Sequence, residues 1–394
     1  MPSTDAEAPL FTSIDWADQS SGLGAVRLRT VGLAAALLAL AALFAYDYVV
    51  APNALVADWD LTRMDWLFLV SAVLAVRYSV VPLVADRDRT AAYVAEFRSH
   101  PIGVLSFAYL VAFGVLGVVG PEWFGLARVD FAAKLQPPVF TSVSADGIHA
   151  YNCVGEMADG RCHGTWAHPL GTTRVGEDLV RIILFGMHVA FKLALSAGIL
   201  MVVVATAVGT AAGYFGGRVD DVLMWYVDVQ QTIPAVIVYI IFATLYLGKG
   251  LFALALVFGL FDWGGIARLV RSETIKRRQS GYVRAARSAG ASDLRIVRTH
   301  VVPNAASTIV TTLTRQLPVL ILIQVALSYL KLNTVNRRSL GEILLRGLSD
   351  NPVPWLQKWW ITASIVVFLA TTVVAFNLFG DAVSDVLDPH GEGV

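Results

Sequence analysis

The sequence predicts an all-α polytopic membrane protein with about eight transmembrane helices. Three observations carry that prediction. The 394-residue chain is 56% hydrophobic and 15% charged, whereas soluble domains carry about 25% charged residues. Its mean hydropathy is +0.63. Apolar windows of about 20 residues, the length that crosses a bilayer core, recur along it. They fall near 31–50, 65–85, 101–120, 188–213, 222–246, 251–270, 307–330 and 360–380. Formal net charge is zero, so the overall balance gives no reason to expect nucleic acid.

The segment 1–30 carries Asp5, Glu7, Asp15 and Asp18 and no apolar run, so no cleavable signal is expected and Val31 onward should act as an anchor. The first window is nearly pure Ala, Leu and Val. The second holds Arg77, costly in lipid unless it snorkels or faces protein. Arg27 and Arg29 precede the first window, Arg87, Arg89 and Arg98 follow the second, and a larger basic block follows the sixth. An even helix count puts all three on one face, which the positive-inside rule makes cytoplasmic, with both termini. Lys331, Arg337, Arg338, Arg346 and Lys358 oppose that assignment.

The polar loop 121–187 contains Cys153 and Cys162. They are a candidate disulfide worth about 2–3 kcal/mol, the alternative being two free thiols. The run from Gly216 to Asp221 reads as a tight turn before the fifth window. Asp228 then lies one or two turns inside, as an interfacial residue in water or as a contact with a partner or the path. Pro234 should kink that helix. Lys192 and Arg315 read as snorkelling residues rather than proton relays, and the glycines between Ala207 and Gly217 as small-residue helix packing.

The basic block, Arg268 to Asn304, orders its residues as helix, glycine turn, helix. Gly290 is the C-cap signal, Ser292-Asp293 the next N-cap, and Pro303 lies near the following apolar window. Ala285, Ala286 and Ala289 keep the first helix slim, and Arg284 and Arg287 share a face. Such an element suits docking into another protein. No GxxxxGK[ST] phosphate loop, HExxH or paired CxxC occurs. The histidines nearest the cysteine pair, His163 and His168, lack metal-ligand spacing. No catalysis and no metal are expected.

Arg284-Ala285-Ala286, Gly290 and Pro303 resemble, in spacing, the "EAA" loop through which ABC-importer permeases dock on their ATPases, with Arg284 in place of the glutamate. The run from His168 to Asp178 resembles the HPLGTD..GRD segment of peptide/nickel-type permeases, with Glu177 where that family has arginine. Gln324 to Leu330 with Ser339-Leu340-Gly341, and Asn377 to Pro389, resemble two later motifs of the same family. The resemblance runs from about residue 100 to 389 and identifies the "C"-type permease of dipeptide, oligopeptide and nickel importers.

It implies a six-helix type I importer core at 99–389, preceded by a two-helix hairpin at 31–98 and followed by a tail at 390–394. Within the core it implies an external loop and scoop at 121–187, with His168, Pro169, Leu170, Gly171, Thr172, Gly176 and Asp178 as the scoop motif. It also implies an ATPase-docking loop at 271–306, with Tyr282, Arg284, Ala285, Ala286, Gly290, Ala291, Ser292 and Pro303 as docking residues. The implied partners are a homologous permease, two ATPases that hold ATP and Mg, an external substrate-binding protein and the cell membrane. This chain itself is expected to bind no cofactor. The expected cargo is a peptide or similar small solute. A non-peptide cargo such as nickel, or an ATP-independent carrier or channel, is the alternative.

Overall fold

The computed structural model describes residues 16–50, 61–144, 152–333, 335, 339–350 and 353–387, with backbone alone at 16–29 and 89. Residues 1–15, Arg337, Arg338, the Asp388-Pro389 end of the terminal motif and the tail 390–394 lie outside this set.

The chain is helical almost throughout. It forms α1 (Trp16–Val49), α2 (Arg63–Ala75), α3 (Val81–Ala85), α4 (Arg87–Arg98), α5 (Pro101–Phe124), α6 (Leu179–Phe215), α7 (Gly217–Thr232) and α8 (Ala235–Phe242). There follow α9 (Leu251–Phe261), α10 (Gly264–Arg278), α11 (Gly281–Ser288), α12 (Asp293–Ile296), α13 (Ala306–Tyr329), α14 (Leu340–Leu348) and α15 (Trp359–Leu387). Between α5 and α6 a small antiparallel sheet of β1 (Ser142–Ser144), β2 (Met157–Ala158) and β3 (Arg161–His163) runs in the order β1-β3-β2.

Among the described residues, seven helical runs are long and apolar enough to span a membrane: Thr30–Val49, Arg63–Ala85, Pro101–Phe124, Leu179–Phe215, Leu251–Arg278, Asp293–Tyr329 and Trp355–Leu387. The pair Gly217–Thr232 and Ala235–Leu247, bent by 76°, makes eight when taken as one span. The expected kink at Pro234 is thus a full break, with Ile233 extended (φ −97, ψ 118).

Several boundaries differ from the expected ones for local reasons. The fourth span starts at Leu179 rather than 188, because Asp178 caps it there: its Oδ1 accepts from the N–H groups of Val180 (2.9 Å) and Arg181 (3.2 Å). The first helix extends back to Trp16. The expected turn from Gly216 to Asp221 is confined to Gly216 (φ +67) and Gly217 (φ +53), and the rest is already α7.

α6 is the axis of the bundle, in contact with α2, α5, α7, α9, α10 and α13. Glycine makes its closest approach possible. A Cβ on Gly209 would stand 2.4 Å from the Ala267 carbonyl oxygen, and one on Gly213 2.7 Å from that of Arg271. The two glycines, one turn apart, let α10 lie against bare backbone. One apolar cluster gathers around Leu193, Met201, Tyr239, Phe258 and Leu320. A second gathers nearer the β-sheet around Leu179, Ile182, Trp360 and Ile365.

Several polar residues on the spans are paired across helices. Lys192 on α6, expected to snorkel, holds the Asp65 carboxylate of α2. Arg315 on α13 meets Asp381 of α15 at 2.9 Å with both side chains more than half exposed. Asp228 is exposed and pairs with Arg268 at 2.5 Å, and Arg271 grips both oxygens of Asp220. Lys358 is fully buried, its Nζ donating to the carbonyls of Arg346 (3.0 Å) and Ser349 at the end of α14, and Arg346 pairs with Glu342. These two cations of the opposing set are therefore engaged in local structure.

The hairpin of α1 and α2 is fastened to the core by the same chemistry. Thr62 and Asp65 form a reciprocal capping box at the start of α2, and Asp65 also reaches Lys192. Phe68 meets Phe191 edge-on at 5.8 Å, and Trp66 Nε1 donates to Asp47 at 2.9 Å, tying α1 to α2. Arg77 lies in a π-turn (Val76–Val80), its guanidinium over Tyr78 at 5.4 Å. Removing one partner of the Asp65–Lys192 pair leaves a charge stranded. Lys192→Met should therefore destabilise the protein in detergent by about 1–2 kcal/mol more than Asp65→Asn/Lys192→Met, measured as loss of apparent Tm.

Candidate functional site

The predicted site residues form two clusters at opposite ends of α6. At its N-terminal end the run from His168 to Asp178 folds back over the helix. Gly171 N donates to His168 O (2.9 Å) and Leu179 N to Gly171 O (3.2 Å), so the turn sits on the first residue of α6. His168 Nδ1 meets the Oδ2 of the capping Asp178 at 2.7 Å. Thr172 is wholly buried. Its hydroxyl donates to Ala133 O (2.6 Å) and accepts from Gln136 N (2.8 Å), while its carbonyl accepts from Trp360 Nε1 (3.1 Å).

Gly171 (φ +79) and Gly176 (φ +79) need both left-handed backbone and space: a Cβ would meet Gln136 O at 2.6 Å and Asp130 O at 1.6 Å. Pro169 O accepts from Val139 N (3.1 Å), and Leu170 packs against the second apolar cluster. Glu177 is buried with its N–H on Thr173 Oγ1 at 3.1 Å. The bonds of Asp178 and Gly171 thus hold the loop on the helix, and those of Thr172 and Thr173 brace it internally. A cleft of about 480 Å³ opens beside it, lined in part by Lys134, Thr173, Arg174 and Arg346.

Cys153 and Cys162 are joined as a disulfide with Cα atoms 5.6 Å apart. Gln136 secures the bridged segment, donating to Asn152 O (2.7 Å) and accepting from Val154 N (2.9 Å). Nothing in the spacing of Gln136 or Trp360 marks them in the sequence.

At the other end of α6 the basic block forms α11, a turn and α12. Gly290 (φ +80) makes the turn, its N–H on Arg287 O at 3.0 Å, and Ser292 precedes α12 in extended backbone. A π-turn (Val297–Val301) and a short 3-10 turn that begins at Pro303 lead into α13.

Val283, Ile296 and Val301 are buried against Tyr214 of α6, with Ala286 and Ala291 packed on them. The Tyr214 hydroxyl donates to Asp293 Oδ1 (2.6 Å) and accepts from Arg287 Nη2 (2.9 Å). That bond raises the Arg287 pKa above its ordinary value. Arg287 thus spends one nitrogen on its own chain while its side chain, like that of Arg284, stays exposed. Tyr282 is 41% exposed with its ring 6.1 Å from that of His300. Arg284, Ala285, Ala289, Gly290 and Leu294 are also exposed. The outward face of the hairpin is thus slim, polar and uncovered, while its inward face is bolted to α6.

A bundle of seven or eight spans, one end capped by a braced loop and the other bearing a rigid exposed hairpin, defines the transmembrane component of a multi-part membrane system. The family described as "Binding-protein-dependent transport system inner membrane component" matches residues 205–391. An oligopeptide transport system permease protein of Mycobacterium tuberculosis is 33% identical over 307 residues, 77% of this chain and 95% of the relative. A dipeptide transport system permease protein of Bacillus subtilis is 30% identical over 223 residues, 56% of this chain and 68% of the relative. A Haemophilus influenzae oligopeptide permease protein is 29% identical over 222 residues, 56% and 70%. The chain belongs to the binding-protein-dependent transport inner-membrane component family. It is a multi-pass, non-catalytic permease subunit of an ABC transporter.

Two substitutions check the local readings. Asp178→Ala removes a helix cap and should cost about 1 kcal/mol, measured as a lower apparent Tm in detergent. Tyr214→Phe should cost about 1 kcal/mol and speed deuterium exchange within 281–296, leaving exchange at 168–179 unchanged.

Proposed function

We propose that this chain forms, with a homologous permease, the translocation path of an importer for peptides. The observation that carries this reading is the exposed helix–Gly290–helix hairpin fixed to α6 through Tyr214. Its dimensions and uncovered face suit the groove of a partner ATPase, and its bolted inner face suits force transmission. The peptide cargo is supported by the oligopeptide and dipeptide systems named for the relatives above.

In this reading two ATPases hold ATP and Mg and engage Tyr282, Arg284, Ala285, Ala286, Gly290, Ala291, Ser292 and Pro303. An external binding protein delivers cargo to the scoop residues His168, Pro169, Leu170, Gly171, Thr172, Gly176 and Asp178. Both termini and the hairpin are cytoplasmic, and the disulfide-bearing loop is external, where oxidising conditions favour its bond. The division is 31–98 hairpin, 99–389 transport domain.

The coupling follows from the contacts. Closure of the ATPase dimer displaces α11 and α12; Tyr214 passes the displacement to α6, and the turn before Pro303 passes it to α13. Those two helices pack on each other, so moving one element shifts both. Gly290→Pro forbids the φ of +80 that the turn requires, since proline is held near −65°. In reconstituted transporter it should lower solute moved per ATP by about tenfold or more, while the membrane bundle keeps its Tm. Normal transport together with normal ATPase stimulation in that variant would overturn the docking assignment.

A further inference from the structure

Two spans are interrupted close to each other, and a third carries a proline beside them. α7 gives way to α8 at Ile233–Pro234, α9 to α10 at Asp262–Trp263, and α13 carries Pro318 inside it. The breaks converge on a polar group. Gln230 Nε2 donates to Phe261 O at 2.7 Å, joining the first two breaks, and Gln316 Nε2 donates to Asp262 Oδ2 at 2.8 Å, joining the third. The Gln231 side chain lies over Gly264, where a Cβ would stand 2.9 Å from its Nε2. Gln230 is 3% exposed, and its Oε1 is buried without a hydrogen-bond partner.

Asp262 is set apart by its place at the break between α9 and α10. Asp65, Asp220, Asp228 and Asp381 lie on helices and each pair with a lysine or arginine. Asp262 stands between two helices and is held by the amide of Gln316 rather than by a cation. A carboxylate at mid-span is expensive in hydrocarbon, and one left without a counter-ion marks a place where something else supplies the charge. Discontinuous helices that converge at that depth are a recurrent way to build a solute site, because the unwound backbone needs a cavity rather than lipid beside it. Gln231, Pro234, Leu260, Gly265 and Val319 around the group are all exposed, so one side of it is open in the single chain.

We propose that Asp262, oriented by Gln316, is the specificity residue of the path and receives the ammonium group of the passing cargo. This rests on the peptide-importer reading above and adds to it a point of contact and a charge preference. The carboxylate accepts from the ammonium N–H groups, Gln316 keeps one oxygen occupied so that the other faces the opening, and the open side is the wall that a second permease completes. A peptide amino terminus or a basic side chain fits this group; a free carboxylate does not.

The test uses the complete transporter with its binding protein in proteoliposomes, supplied with a basic peptide. Asp262→Asn is expected to raise ATP consumed per peptide by about tenfold, and Asp262→Glu to return it to near the wild-type ratio. A second measurement does not depend on that variant folding. Gln316→Cys keeps the carboxylate, and the two native cysteines are bonded to each other. Its thiol should react at least about tenfold faster with a cationic than with an anionic methanethiosulfonate, and peptide present during turnover should slow that reaction. In Gln316→Cys with Asp262→Asn the preference should vanish. Equal rates for the two reagents, or no labelling at all, would overturn the proposal. So would an Asp262→Asn transporter with the wild-type ratio, and that result would leave the peptide reading standing. A wild-type transporter that answers its binding protein with ATP hydrolysis yet takes up no peptide overturns both together.

Discussion

The structure depends on how closely α10 approaches α6. Between Gly209 and Gly213 the contact is backbone against backbone, and in lipid, with no hydrophobic force between helices, such contact is what holds a bundle together. Around this seam the other helices find their places. α6 spans 37 residues, about 55 Å at 1.5 Å per residue. Asp178 caps its first turn, and Tyr214 is its penultimate residue. The braced loop and the docking hairpin, far apart in space, are thus fastened to the two ends of one rod. A rod seated on bare backbone cannot bend between them without losing its seat.

The second constraint is electrostatic. Four ion pairs link helices: α2 to α6, α7 to α10 twice, and α13 to α15. Lys192–Asp65 is mostly buried, whereas Arg268–Asp228 and Arg315–Asp381 are exposed; each ties two neighbouring helices together. Lys358 does the same with carbonyls, closing the free end of α14 so that a short helix can stop inside the protein. Pairing therefore adds to the arrangement that the α6–α10 seam sets.

Much of this was legible in the sequence. The apolar windows marked the spans because hydropathy is a local property, and Gly290 and Ser292 announced the hairpin because caps and turns are local chemistry. What was not legible was pairing at a distance. Lys192 reads as snorkelling until Asp65, 127 residues away, is brought beside it. The bond from Arg287 to Tyr214, 73 residues away, is equally invisible. The scoop motif was visible through its resemblance, but its physical basis needed Gln136, Thr172 and Trp360 together, and no periodicity links them. Asp262 was visible in sequence as a carboxylate inside an apolar window, but the break it occupies and its bond to Gln316, 54 residues away, were not.

The π-turn at Val297–Val301 has a geometric consequence for how the chain tolerates change in length. Such a turn is an α-helix with one extra residue, and each residue advances a helix by about 100°. Deleting one residue there would restore regular helix and cost little locally, and because the wider turn takes up its extra residue within itself, the segments on either side would keep close to their present facing. The π-turn is therefore a place where the length from Gly290 to Pro303 can change by one residue without re-aiming the hairpin. Elsewhere in that interval a residue gained or lost would turn α12 by about 100°, and Ala291, Asp293, Ile296 and Val301 are held to their present chemistry by the contacts that seat the hairpin on Tyr214.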